Sequence, residues 1–172
     1  MSILARVIKT RRLLIRRFNA ADLDDFLAYQ ADPAVRRHQP GQPMTTAQAV
    51  DYLATQAMLD QHALDRWHGF AVETSDAGRV IGDIGVWLYA QPADIGDIGF
   101  QFHPGYHGRG LAREAMEAFL PYVFGTLGLH RLTAGCDPAN TASRRLLERL
   151  GMHLVEGSAV QYELRREEVA PR

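Results

Sequence analysis

The 172-residue sequence predicts an α+β (mixed α/β) fold, with a central mixed, mostly antiparallel sheet and about four helices. Two patterns predict it. Three strand-like stretches, Trp67 to Glu73, Val80 to Tyr89 and Ile95 to His103, follow one another across short turns at Asp76-Ala77-Gly78 and Gln91-Pro92-Ala93-Asp94, which makes them antiparallel neighbours. From Ile98 to Gly128 the chain then runs strand, glycine-rich turn, helix, and a further strand at Leu132 to Cys136 completes a strand–helix–strand unit.

The elements follow in order. Arg12 to Phe18 reads as a first strand. Asn19 caps a helix through about Ala31, with Leu23, Phe26 and Leu27 on one face, and Asp32-Pro33 stops it. His38 to Met44, with two prolines and a glycine, is a loop. Thr45 or Thr46 caps a second helix reaching about Leu64, its inward stripe including Val50, Leu53, Ala57 and Leu64. Gly96 and Gly99 inside the third neighbouring strand signal a bulge or a close backbone approach. In the long helix, Leu111, Ala115, Phe119, Leu120, Val123 and Phe124 recur at helical spacing. Pro121 predicts a kink near Glu117, and Gly128 ends the helix. Asn140 caps a last helix, Thr141 to Leu150, stopped by Gly151, and His153 to Val155 with Val160 to Arg166 closes the chain as a hairpin.

Length and a 47% hydrophobic composition suit one domain over residues 1–172. Nineteen basic against twenty acidic side chains argue against a nucleic-acid partner. The single cysteine, Cys136, fits a reducing compartment and reads as a buried strand residue rather than a nucleophile. No apolar run suits a membrane span, and charge breaks the segment Met1 to Leu14 too early for a leader, so the expectation is a cytoplasmic, soluble protein. The seven histidines show no metal-ligand spacing.

The turn His107-Gly108-Arg109-Gly110-Leu111-Ala112 is an anion site by its make-up. The first N–H groups of a helix have no intrahelical acceptor, glycines let an anion approach the backbone, and Arg109 adds charge. A nucleotide P-loop would need Gly-Lys-Ser/Thr at the helix start, and the dinucleotide fingerprint would need a third glycine; neither fits. The turn instead resembles the pyrophosphate loop of the GNAT N-acetyltransferases, Gln/Arg-x-x-Gly-x-Gly/Ala, with His107 in the first position. HPGYHGRGLAREA and DPANTASRRLLERLG, together with VIGDIGV and the stretch from Thr10, extend the likeness over roughly residues 10 to 156. The whole is similar to the ribosomal-protein-alanine N-acetyltransferase branch.

That resemblance implies a GNAT fold in which the strands near Ile98 and Leu132 lie parallel and splay apart at one end. It implies acetyl-CoA as cosubstrate and no metal. Pantetheine would pair with Phe102 and His103, the pyrophosphate would sit on the amides of Gly108, Arg109, Gly110, Leu111 and Ala112, and Asn140 would bond the pantetheine arm or serve only as a helix cap. For the base the family position is Asp97, acting through water, with Asp83, Asp94 and Glu73 as alternatives; a solvated strand-end carboxylate is the other reading of Asp97. The family's tyrosine acid is replaced by Leu147. Ser143, one turn past Asn140, is then the candidate acid, or a serine in a first helical turn.

The expected reaction is direct attack of a primary amine, on a protein N-terminus or a small molecule, within a ternary complex. A lysine amine costs roughly 4 kcal/mol to deprotonate near neutral pH and an α-amine much less. A strand N–H near Phe100 to Phe102 would stabilise the developing oxyanion. His38 to Met44, Trp67, Trp87, Tyr89 and the Ala90 to Asp94 turn are acceptor walls or core. Relatives usually have a longer final connection than Glu156-Gly157-Ser158-Ala159, which means a trimmed acceptor site or an omitted loop. Relatives often pair as homodimers, which leaves that state open. An acetyl-CoA-binding module without turnover and a phosphate or nucleotide binder using the same loop are the alternatives.

Overall fold

The computed structural model describes residues 7–169. The leader reading falls in part on residues 1–6, and the domain span also takes in 170–172; both stretches lie outside the described residues. Eight strands form one sheet: β1 (Ile8–Lys9), β2 (Leu13–Arg16), β3 (Arg66–Thr74), β4 (Val80–Leu88), β5 (Ile95–Phe102), β6 (Arg131–Gly135), β7 (His153–Leu154) and β8 (Gln161–Arg165), in the order β1-β2-β3-β4-β5-β6-β8-β7. Every neighbouring pair is antiparallel except β5 and β6. The helices are α1 (Leu23–Gln30), α2 (Pro33–Arg36), α3 (Thr46–Met58), α4 (Leu111–Pro121) and α5 (Thr141–Arg149).

Local chemistry explains most boundaries. Asn19 and Asp22 form a reciprocal capping box ahead of α1, and Thr45 does the same with Gln48 at α3. Gly128 and Gly151 end their helices at φ 72° and 88°, where side chains other than glycine are strained. α4 and the turn that follows it pack on one face of the sheet: Phe119 and Val123, both fully buried, share one core with Phe70, Ile84, Val86 and Ile98. α1 and α3 cover the other face, with Phe26, Tyr29 and Leu53 against Phe18 and Ala71.

Among the described residues there are five α-helices, against about four expected, because Asp32-Pro33 both stops one and starts the next: the Asp32 side chain accepts from Ala34 N–H and caps α2. α3 ends at Met58 rather than near Leu64. The Arg17 guanidinium bonds the carbonyls of Gln56 and Leu59 at its end, Leu59 is extended, and Val50 and Leu64 are exposed, off the inward stripe. The predicted kink near Glu117 is replaced by a wider turn. Pro121 is the last residue of α4, and a π turn, Tyr122–Thr126, follows, closed by Leu127 N–H on Tyr122 O at 3.0 Å. The two-residue β1 carries no periodicity to read. The final hairpin closes through Val155 N–H on Gln161 O and Ser158 N–H on Val155 O.

The parallel pair positions everything that follows. β5 and β6 are in register over Ile95–Asp97 and Arg131–Thr133 and then separate, while β5 stays paired with β4 as far as Phe102. The sheet therefore opens beside Ile98 to Phe102.

Candidate active site

Two adjoining cavities meet at that opening, one of about 530 Å³ and one of about 450 Å³. Phe100, Gln101, Asn140 and Ser143 line both, as do His38 and Gln39 from the loop between α2 and α3.

The smaller cavity lies against the start of α4. Gly108 and Gly110 hold φ of 75° and 73°, and Gly110 occupies the N-cap without a side-chain cap. Among the described residues no group accepts from the N–H groups of Gly108 through Ala112, so they are free for a ligand. Gly108, Gly110, Leu111 and Ala112 line the cavity; the Arg109 side chain does not, and its guanidinium lies 5.4 Å from the Tyr106 ring. Among the described residues the arginines here are Arg113, Arg145 and Arg149, and no carboxylate lines this cavity. Arg145 and Arg149 escaped the sequence reading, although their four-residue spacing on α5 was visible. The loop is braced from β2's side. The Arg12 guanidinium donates to Arg109 O at 3.1 Å and through Nε to Glu114 at 2.7 Å, and Thr10 donates to the same carboxylate.

Phe102 and His103 part company. His103 N–H donates to Ile81 O on β4, and its ring caps Gly105 N–H; it lines neither cavity. The backbone of Phe102, one residue earlier, therefore faces the opening. There its carbonyl accepts from His107 Nε2 at 2.8 Å, which is what the histidine in the family's Gln/Arg position does. Asn140 caps α5 by accepting from Ser143 N–H at 3.1 Å. Leu147, in the family's tyrosine position, is buried in the wall of the larger cavity.

The larger cavity is floored by the sheet. Gly69, Gly85 and Gly99 stand in register on β3, β4 and β5, and the Trp67 indole lies flat across the last two; a Cβ on Gly99 would come within 3.1 Å of its ring. Beside this row Asp83 is buried, at 4% exposure, and Oδ2 accepts from Tyr29 OH at 2.7 Å and Gln101 Nε2 at 2.8 Å. Burial pushes its carboxyl up to about 6, against the pull of those two bonds. Asp97 sits where β5 and β6 are still paired, accepts from Thr133 Oγ1 at 2.6 Å, and lines neither cavity; burial raises its carboxyl too. Glu73 is bound to Arg16. Trp87 and Tyr89 pack on each other, away from both cavities. Among the described residues no group of three or more His, Cys, Asp or Glu is placed to hold a metal, and no helix is long and apolar enough to cross a membrane.

A parallel pair that separates partway along lies beside a glycine-capped helix start whose unbonded amides suit an anion. Comparison with known proteins is decisive at this point: the acetyltransferase (GNAT) domain family matches residues 12–153, and the chain belongs to that family. It is 33% identical to the uncharacterized N-acetyltransferase YnaD of Bacillus subtilis over 145 residues, 84% of this chain and 81% of that one. Among solved structures it is similar to a GNAT-family acetyltransferase from Bacillus anthracis, with a TM-score of 0.78, 28% identity and coverage of 94% and 99%. The ribosomal-protein-S5-alanine acetyltransferase of Vibrio fischeri shares the fold, at a TM-score of 0.74 and 19% identity over 96% of this chain and 100% of that one.

Proposed function

We propose that this protein transfers the acetyl group of acetyl-CoA to a primary amine by direct attack within a ternary complex. One observation carries the reading: the parallel pair opens after Asp97 and Thr133, beside a helix start whose amides are free. The residues fit the cosubstrate. Unbonded amides from Gly108 to Ala112 suit a pyrophosphate, Arg145 and Arg149 suit further phosphate, and the backbone of Phe102 suits an extended amide arm. Bound there, acetyl-CoA supplies an activated acyl carbon.

The chain's own residues do the rest. Phe100 excludes water from the junction of the two cavities, and Trp67 from the larger one. Asp83, facing the larger cavity, receives the proton of the incoming ammonium, a task that suits a carboxyl near 6. Asp97 keeps the family position but lies outside the cavity lining, so the role passes to Asp83 in this reading. Asn140 and Ser143 stand at the junction, and the Ser143 hydroxyl is the group there to return a proton to the departing thiolate. Once Asp83 holds the first proton the neutral amine attacks; as the N–C bond forms and the C–S bond breaks, the nitrogen sheds a second proton, the thiolate takes one through the Ser143 hydroxyl, which that second proton replenishes, and Asp83 releases the first to solvent.

Thiol release from acetyl-CoA over a panel of amines tests the activity. Asp83→Asn is expected to lower kcat by about a hundredfold or more and flatten the acidic limb of the rate profile, whereas Asp97→Asn leaves that limb in place. A limb lost with Asp97→Asn and kept with Asp83→Asn would return the role to Asp97. Calorimetry with CoA, ATP and NAD separates this reading from a general nucleotide binder.

A further inference from the structure

The larger cavity is lined by two side chains, Arg36 and Asp83, that have no oppositely charged partner among the described residues. Arg36, at the end of α2, directs its terminal nitrogens at neutral acceptors only: Gln39 Oε1, Pro40 O and Gly41 O, at 3.3, 2.6 and 2.9 Å. Among the described residues no carboxylate pairs with it. Asp83, on the floor, is held by Tyr29 and Gln101, both uncharged. Asp137, the other carboxylate in the lining, is hydrogen-bonded to His38 at 2.9 Å.

A second observation falls on the same residues. Among the described residues two buried side-chain atoms lack a hydrogen-bond partner, Arg36 Nε and Gln101 Oε1, and both belong to side chains of this cavity. One is a donor on a permanent cation. The other is an acceptor, left over because the NH₂ end of the Gln101 amide is spent on Asp83. A buried group without a partner costs free energy, so two in one cavity mark groups kept for a ligand. The donors and the acceptors come from different walls, α2 on one side and β4 with β5 on the other.

The geometry points to a small zwitterionic acceptor: a primary amine whose ammonium meets Asp83 and Gln101 Oε1, and whose carboxylate or other anionic group meets Arg36. This deepens the acetyltransferase reading and rests on it. About 530 Å³ suits a compact molecule of this kind. A peptide N-terminus would bring the amine but no anion for Arg36.

The test uses the full chain and a panel of ω-amino acids from glycine to 6-aminohexanoate, n-alkylamines of equal length, and an alanine-headed hexapeptide. Turnover is read by thiol release, and binding to the protein with and without CoA by calorimetry. The expected result is that at least one amino acid binds and is acetylated with kcat/KM about tenfold or more above its alkylamine. Arg36→Gln then brings that ratio close to one, while Arg36→Lys keeps its direction. A thermal melt confirms that the variants are folded, and Gln101→Leu gives a second handle, raising KM for the amino acid. Alkylamines or the hexapeptide acetylated as well as every amino acid, with Arg36→Gln without effect on the ratio, would overturn the zwitterion and leave the acetyltransferase standing. No CoA binding, with amino acids still bound in the cavity, would sink the acetyltransferase and keep the subsite. Amino acids that fail to bind in either state overturn the inference.

Discussion

A carboxylate buried among neutral donors lowers the stability of the fold that holds it, and Asp83 is such a residue. Its carboxyl, lifted by burial to about 6, holds a proton between the ordinary carboxylate range and pH 6 that the unfolded chain has already released. Its contribution to stability is therefore greatest below that window and declines as pH rises through it, by on the order of 3 kcal/mol. Asp83→Asn keeps an oxygen for Tyr29 and Gln101 while removing the charge. The expected outcome is a variant with far lower kcat that is more stable at pH 8, by about 1–3 kcal/mol, and not more stable at pH 4. Thermal denaturation at the two pH values checks it; a loss of stability at pH 8 would mean that Asp83 is structural. In the sequence this residue was one of four carboxylates without a local reason to prefer it. Its partners Tyr29 and Gln101 lie 54 and 18 residues away, so nothing in its neighbourhood announced them.

At the scale of elements, the glycines of β4 and β5 decide the shape of the larger cavity. A Cβ on Gly85 would meet His68 O and the Trp67 ring, both at 2.5 Å, and the backbone cannot yield cheaply. A Cβ on Gly99 has the indole as its nearest neighbour, at 3.1 Å, a side chain rather than backbone. Gly99→Ala is thus expected to cost little stability, within about 1 kcal/mol, while tilting Trp67 into the cavity and raising the acceptor KM with the acetyl-CoA KM unchanged. Gly85→Ala is expected to cost about 2 kcal/mol or more. Steady-state kinetics and a melt separate the two. The sequence announced a close approach at Gly99, because an interior strand glycine forgoes packing for a reason. What approaches is Trp67, two strands away, and only the register between β3, β4 and β5 brings it there.

For the molecule as a whole, the glycine loop before α4 is held to the turn between β1 and β2 through Glu114. Burial pushes this carboxyl up, but the bonds from Thr10 and Arg12 outweigh it and hold it below the usual range. Stability from this network is present above the ordinary carboxylate value and is lost as pH falls through the lowered one. Glu114→Ala releases Arg12 from the stretch that carries Arg109 O. The expected outcome is a several-fold rise in the acetyl-CoA KM and a loss of about 1 kcal/mol at neutral pH that shrinks on acidification, Arg12 being partly solvated. An unchanged KM would show that the loop keeps its shape without the brace.

By itself the sequence determined what depends on neighbours in the chain: the capped helices, the antiparallel run, and the strand–turn–helix whose glycines take a left-handed backbone. These are properties of the backbone over a few residues, and local periodicity reports them directly. The tertiary structure alone decided where β5 leaves β6, which carboxylate faces the opening, and that Arg36 and Asp83 line one cavity. Burial, cavity shape and the pairing of charges arise when distant segments exclude water together, and no stretch of sequence carries that information alone.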